Sequence, residues 1–385
     1  MAARPGLSRV RRDRSRFVHS DIASMSEALV GAIVGIVRPM LDALDRLEFI
    51  ARHMHPPDIA SLVEVLGDCD PDLRKAREAI ADLAWPDHLV AFREQIERAA
   101  EMTLRACDGL REAAASGGVR AAIRALRNVG RASETLYPLA PSLPSVSRFF
   151  LESDRRDNQA LLDRLANGAA RTDARVGVLH AENKTDQRGG FSVYVPEDYD
   201  PARAYPLLMA LHGGSGHGRL FLWSWVREAR SRGVIVVAPT ATGDTWSLME
   251  PDVDAKHLAR VLAHVAANWQ LDRSRLLLTG MSDGGTFTLL GGIDEHSPFT
   301  HLAPVAASFH PLLLTMAQPQ RMLKLPVYLV HGARDWMFPV SVARSAYGAL
   351  DAAGARVTYR EIDDLSHAYP RDENPRMLDW FLAQN

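Results

Sequence analysis

Leu276-Leu-Leu-Thr-Gly-Met-Ser-Asp-Gly-Gly285 is the stretch on which the reading of this chain turns. Its first residues, Leu276 to Thr279, are a short unbroken apolar run of the kind that suits a strand buried on both faces. The run ends in Gly280-Met281-Ser282-Asp283-Gly284, a G-x-S-x-G pentapeptide, and a helix is predicted from near Gly284. The chemistry of such a turn is steric. A serine lifted above the strand end needs a sharp, strained backbone, and side chains two positions away on either side would collide. Gly280 and Gly284 remove those collisions, and Gly285 lets the helix approach the sheet. A serine facing a helix N-terminus also meets a partial positive charge suited to a developing oxyanion.

The same rhythm extends on both sides. Phe191–Val195 alternates like a strand, while Pro206–Leu211, Gly233–Ala238, Arg275–Thr279, Leu302–Ser308, Leu325–Val330 and Val357–Ile362 are short, mostly apolar runs. Amphipathic stretches lie between several of them, at Leu220–Ser231, Val253–Trp269 and Val342–Ala353. Strand and helix in alternation predict an α/β fold, a mostly parallel sheet with helices on both faces. Ligands of such folds gather at the carboxyl ends of the strands.

Three further motifs fall at those ends. His212-Gly213-Gly214-Ser215-Gly216 follows the run Leu207–Leu211, and its glycines leave backbone N–H groups open to a substrate carbonyl. The N–H of Gly214, with Ser215 as the neighbouring choice, and the N–H of Asp283 are the candidate oxyanion donors. His212 reads as a structural residue holding this loop. No Lys-Ser/Thr follows, so a phosphate loop is disfavoured. Val330-His331-Gly332-Ala333-Arg334-Asp335 places a carboxylate at a late strand end, and Leu365-Ser366-His367-Ala368 places an imidazole after the last one. A serine hydroxyl needs a base to become a nucleophile, histidine titrates near neutrality, and a carboxylate fixes its tautomer. Ser282, Asp335 and His367 are therefore the candidate nucleophile, acid and base, with Asp363 and Asp364 as less well placed acids. Activity should fall in acid as the imidazole takes up its proton. Ser215, Trp246, His310 and Trp336, with Phe338, lie at or just beyond strand ends and are candidate substrate contacts.

With Tyr194-Val-Pro-Glu-Asp-Tyr199, Tyr205-Pro-Leu-Leu-Met-Ala-Leu-His-Gly-Gly214 and Leu271–Gly285 side by side, the chain from about Ala174 onward resembles the α/β-hydrolase serine esterases. The nearest branch is the phospholipase/carboxylesterase group with its polyhydroxybutyrate-depolymerase and feruloyl-esterase-like relatives. The resemblance implies that Ser282, Asp335 and His367 form a catalytic triad, in the chain order of that fold, and that Gly214 and Asp283 supply the oxyanion hole. Acyl transfer at such a serine needs no cofactor, and no Cys/His cluster with zinc spacing points to a metal.

The first part of the chain is different. To about Gly168 it reads as all-helical: Asp21–His53, a helix capped by Asp70-Pro71, a longer one from about Asp87 to Gly117-Gly118, another through Val119, Ile123 and Leu126, and a last one at Leu161–Leu165. The domain expectation is a basic arm over residues 1–20, a helical domain over 21–168 and a catalytic domain over 174–385. With 385 residues the chain exceeds one compact core. The helical domain departs from the family pattern, and a cap over the cleft or a homodimer interface is the expectation for it.

Composition excludes several function classes. Net charge is about −2 with 24% charged residues, which points away from nucleic acid. Cys69 and Cys107 are the whole cysteine complement, without zinc-ligand spacing, and read as buried thiols in a reducing cytoplasm. Arg4, Arg9, Arg11, Arg12, Arg14 and Arg16 precede the apolar run Ala28–Val37, which has the look of an export signal. Ser20, Asp21 and Glu27 interrupt the approach and no cleavage site follows, so a buried helix is expected, too short in its apolar run to insert in a membrane. The expected activity is hydrolysis of small carboxylic esters, a carboxylesterase-type serine hydrolase working through an acyl-enzyme. A peptidase or thioesterase with the same triad and a non-catalytic binding module are the alternatives.

Overall fold

The computed structural model describes residues 26–116, 118–169 and 175–383. The basic arm and the expected helix start at Asp21 lie outside them. The chain divides into two compact units with the boundary between Ala166 and Asn167.

The C-terminal unit is built on one eight-stranded sheet. Its strands are β1 Gly177–Ala181, β2 Phe191–Val195, β3 Tyr205–Leu211, β4 Ile235–Pro239, β5 Leu271–Met281, β6 His301–Val305, β7 Pro326–Gly332 and β8 Arg356–Ile362. Their order across the sheet is β1-β2-β4-β3-β5-β6-β7-β8. Only β2 runs against its neighbours β1 and β4, and every pair from β4 to β8 is parallel. The apolar runs behave as their composition requires. Every residue of β3, β4 and β6 is buried, as expected of inner strands covered on both faces. β8 closes the sheet as a half-buried edge. The helices Asp252–Asn268, Asp283–Gly292 and Val340–Ala352 fill the connections.

The departures from expectation have local causes. β1 carries no unbroken apolar run, because it is an edge strand with three half-buried residues, and His180 spends its ring nitrogen on Ser192 of β2 at 2.7 Å. The stretch Leu220–Ser231 is broken into helix Gly218–Phe221, a 3₁₀ turn Leu222–Ser224 and helix Val226–Arg232. A last helix, Asn374–Ala383, buries Met377, Leu378 and Phe381 and was not expected.

In the N-terminal unit the apolar run Ala28–Val37 lies in the helix Glu27–His53, whose N-cap Ser26 accepts the Leu29 N–H. Leu29, Ile33, Ile36 and Val37 are buried, whereas Val30 and Val34 are exposed, so the run is one face of an amphipathic helix. A Cβ at Gly31 or Gly35 would touch nothing within 4 Å, so neither glycine serves a close helix contact here. Asp70 is not the expected cap. The helix Cys69–Ala81 starts two residues earlier, behind Asp68, and the Asp70 carboxylate instead ties Arg74 to Arg111 of the helix Val90–Ser116, at 3.2 and 2.5 Å. Burial alone would raise the Asp70 carboxyl, but the Arg111 and Arg74 guanidiniums, with a backbone hydrogen bond, together outweigh it and hold the group below its usual range. Both cysteines are buried and unbridged. No helix among the described residues is long and apolar enough to cross a membrane.

Candidate active site

Ser282 stands between β5 and the helix Asp283–Gly292 with φ 56° and ψ −120°, a conformation that L residues seldom adopt. Such strain costs on the order of 1–3 kcal/mol and persists only where neighbours over-determine it. Here the Ser282 N–H donates to Val305 O at 2.9 Å, and its carbonyl accepts the Thr286 N–H at 2.8 Å. The steric reading of the glycines holds in detail. A Cβ on Gly280 would lie 2.4 Å from Gly284 O, one on Gly284 2.4 Å from Leu211 O, and one on Gly285 2.6 Å from Val305 O. The turn is therefore wedged between the backbones of β3 and β6, with no room for a methyl group.

His367 comes from the loop after β8 and reaches both partners. Its Nε2 lies 3.0 Å from Ser282 Oγ, and its Nδ1 lies 2.8 Å from Asp335 Oδ2. An ionised carboxylate only accepts, so Nδ1 carries the proton and Nε2 offers its lone pair to the serine hydroxyl. Asp335 is held by more than the imidazole, since its Oδ1 accepts the N–H groups of Met337 at 2.9 Å and Phe338 at 2.8 Å. Burial would push this carboxyl up, but the bonds from His367 and those two amides outweigh it and keep it below the ordinary aspartate value. It is thus ionised near neutral pH.

Asp335 and His367 are brought together by backbone, not only by side chains. The Ala333 N–H donates to Ile362 O and the Arg334 N–H to Leu365 O, at 2.9 and 3.0 Å. Gly332 sits beneath this crossing, and a Cβ there would meet Leu365 O at 2.2 Å. The sequence showed a glycine before the acid but not the loop that would press on it.

The glycine-rich loop lies beside the serine. A Cβ on Gly213 would be 3.6 Å from Ser282 Cβ. The Gly214 N–H has no partner among the described residues. The Asp283 N–H opens a helix, where intrahelical partners are lacking. Both are available for an oxyanion. Ser215 is not the second choice it was expected to be, because its N–H donates to Asp244 O at 3.1 Å. Its φ of 53° belongs to the turn that presents Gly214.

The remaining expected contacts separate. Trp336 is 48% exposed and stands edge-on to the His367 ring with centroids 6.3 Å apart, so it can border a bound substrate. Phe338 packs edge-on to the same ring at 5.4 Å. Trp246 gives way to a structural role, for it is 1% exposed and its Nε1 donates to His212 O at 2.7 Å while its ring lies against His212 and Phe287. His310 is exposed, with its Nδ1 accepting the Leu312 N–H at the start of a 3₁₀ turn. His212 is the loop-holding residue it was read as: Nδ1 faces Gly213 O at 2.7 Å and Nε2 accepts the Ala241 N–H at 3.1 Å. Burial depresses its pKa to about 4, which keeps the ring neutral with an accepting nitrogen. Among the described residues no cluster of three His, Cys, Asp or Glu is placed to hold a metal.

A mostly parallel sheet of this order, with a strained serine after its fifth strand, gives the C-terminal unit the α/β-hydrolase fold. Residues 253–382 match the family described as Phospholipase/Carboxylesterase. Among curated proteins, the bifunctional acetylxylan esterase/xylanase XynS20E of Neocallimastix patriciarum is 27% identical over 196 residues, 50% of this chain and 28% of that protein. A probable dipeptidyl-peptidase 5 of Aspergillus flavus is 23% identical over 227 residues, 48% of this chain and 31% of that one. The chain thus spans under a third of the length of these relatives. Among solved structures, a thermostable esterase aligns at 21% identity and TM-score 0.42, covering 51% of this chain and 59% of its own.

Proposed function

We propose that the chain is a serine hydrolase that cleaves carboxylic esters through an acyl-enzyme on Ser282, with His367 as general base and acid and Asp335 as its orienting carboxylate. The observation that carries this is the continuous relay from Asp335 Oδ2 through both nitrogens of His367 to Ser282 Oγ, in steps of 2.8 and 3.0 Å. The serine hydroxyl attacks an ester carbonyl as His367 Nε2 takes its proton. The carbonyl oxygen, now negative, is received by the N–H groups of Gly214 and Asp283. Collapse expels the alcohol, to which His367 returns the proton, and water repeats the sequence to release the acid. No step calls for a cofactor. The Phospholipase/Carboxylesterase match and the acetylxylan-esterase relative favour a carboxylic ester as substrate. The dipeptidyl-peptidase relative favours a second reading, an amide substrate at the same relay.

A fluorophosphonate probe tests the chemistry and a substrate panel tests the class. Labelling of the wild type and its loss in Ser282→Ala are expected, as is turnover of p-nitrophenyl acetate well above that of a dipeptidyl anilide or an acyl thioester. Folded wild-type protein that resists the probe would sink the hydrolase reading and leave a binding module. We also propose that the helical unit caps the cleft or mediates a homodimer. A truncation to residues 174–385 with unchanged substrate range and oligomeric state would count against that.

A further inference from the structure

We infer that Thr245 is a positioning residue of the oxyanion hole, acting through the Asp283 side chain; this rests on the reading of Ser282 as nucleophile. The segment after β4 is laced to the glycine-rich loop at several points. Asp244 O accepts the Ser215 N–H at 3.1 Å, Trp246 Nε1 donates to His212 O at 2.7 Å, and the Ala241 N–H donates to His212 Nε2 at 3.1 Å. Arg188 straddles the two loops, giving its guanidinium to Gly216 O at 2.6 Å and to Gly243 O at 2.8 Å. These bonds engage the polar groups on either side of Gly214 and leave its own N–H for a ligand.

One bond reaches further. Thr245 Oγ1 donates to Asp283 Oδ2 at 2.5 Å, joining this segment to the first residue of the nucleophile's helix. Asp283 thereby has two separate jobs. Its N–H is one donor of the hole, and its carboxylate lies against the Cα of the other, since a Cβ on Gly214 would stand 2.7 Å from Oδ2 and 3.9 Å from Thr245 Oγ1. The Thr245 hydroxyl therefore holds the carboxylate that stands against Gly214, and ties the residue bearing one donor to the segment whose Asp244 carbonyl anchors the loop bearing the other. A carboxylate beside a site that must accept negative charge also needs restraint. By taking a charge-assisted bond from Thr245, Oδ2 has its charge partly met and its rotamer held. Thr242 and Asp254 give the rest of the segment its shape, through a hydroxyl bond of 2.9 Å, so Thr245 projects from a set turn.

The effect should appear in the transition state and not in ground-state binding, because the hole grips the oxygen only once it is charged. Thr245→Val removes the hydroxyl at nearly equal volume, and Thr245→Ser keeps it. With p-nitrophenyl acetate, Thr245→Val is expected to lower kcat about 10–100-fold with KM changed by less than about twofold, a fraction of what losing a whole donor costs. Affinity for an arylboronic acid, which becomes tetrahedral and anionic on a serine, should weaken by a factor similar to the loss in kcat. Thr245→Ser should recover kcat to within about threefold of the wild type. Melting temperature, followed by circular dichroism, separates this from misfolding, and Thr245→Ala carries the same comparison if the valine variant does not fold. Wild-type kcat in a folded Thr245→Val enzyme overturns the inference, as does a loss that serine leaves unrepaired or one that leaves boronate affinity untouched. Wild type that fails to react with a fluorophosphonate removes the nucleophile itself, an outcome distinct from all of these.

Discussion

Gly332→Ala puts one methyl group where the acid and base loops cross. The added Cβ would stand 2.2 Å from Leu365 O, 2.7 Å from Leu365 C and 2.9 Å from Ser366 O. Ordinary contact begins near 3.4 Å, so the peptide between Leu365 and Ser366 must retreat by about 1 Å. That peptide is backbone, not the end of a flexible side chain, and it leads directly into His367. The retreat also pulls on the bond from the Arg334 N–H to Leu365 O, which is 3.0 Å long. A displacement of about 1 Å in a catalytic group costs roughly 100-fold in rate, and overpacking of this kind costs about 1–3 kcal/mol of stability. Alanine at this position has no other reason to hurt, because Gly332 is not among the glycines with positive φ. The assay is p-nitrophenyl acetate turnover beside a thermal melt, with Gly348→Ala as the control, since a Cβ there meets nothing within 4 Å. The expected result is a 332 variant slowed by about two orders of magnitude and a 348 variant close to wild type. A Gly332→Ala enzyme with kcat within about threefold of the wild type would refute the idea that this crossing positions the base.

Other outcomes follow from the same geometry. Ser282→Ala should lower kcat by on the order of 10⁴-fold or more while leaving the fold intact, read by turnover and circular dichroism. Asp335→Asn should lower kcat by a comparable factor near pH 7, because an amide no longer enforces a proton on His367 Nδ1. The Asp335 carboxyl titrates lower folded than unfolded, so its contribution to stability is present above the unfolded value near 4 and is lost as pH falls through the folded one. Melts from pH 7 down to pH 3 should accordingly show the gap between wild type and Asp335→Asn narrowing in acid, and a gap that widens would contradict the sign. Trp246→Phe should cost about 1–3 kcal/mol by leaving the His212 carbonyl without its indole donor, and should lower kcat by loosening the loop, as a denaturant melt and turnover will show. Trp336→Ala, at a half-exposed position, should leave stability nearly unchanged but lower kcat/KM for aryl esters more than for methyl acetate.

The sequence alone determined the inner strands, the turn that carries Ser282 and the order of Ser282, Asp335 and His367. It did so because buried parallel strands have to be written as short apolar runs, and because a strained serine needs glycines at fixed offsets. Ser282, Asp335 and His367 were each legible from a local motif, Gly-Met-Ser-Asp-Gly or a polar residue just past a strand end. The edge strand β1 and the broken stretch after β3 were not legible, since partial exposure and competing side-chain bonds leave no periodic signal. Nor did local pattern separate the strand-end aromatics, of which Trp336 faces solvent beside the base while Trp246 is buried under the loop. Only the tertiary structure decided that Ser215 is spoken for, that Thr245 holds the carboxylate of Asp283, and that Gly332 lies under the loop of His367. Those facts join residues 29, 38 and 33 positions or more apart in the chain. Each arises where two strand-end loops meet, and a loop's neighbour is chosen by the strand order of the sheet, not by the residues adjoining it in the chain.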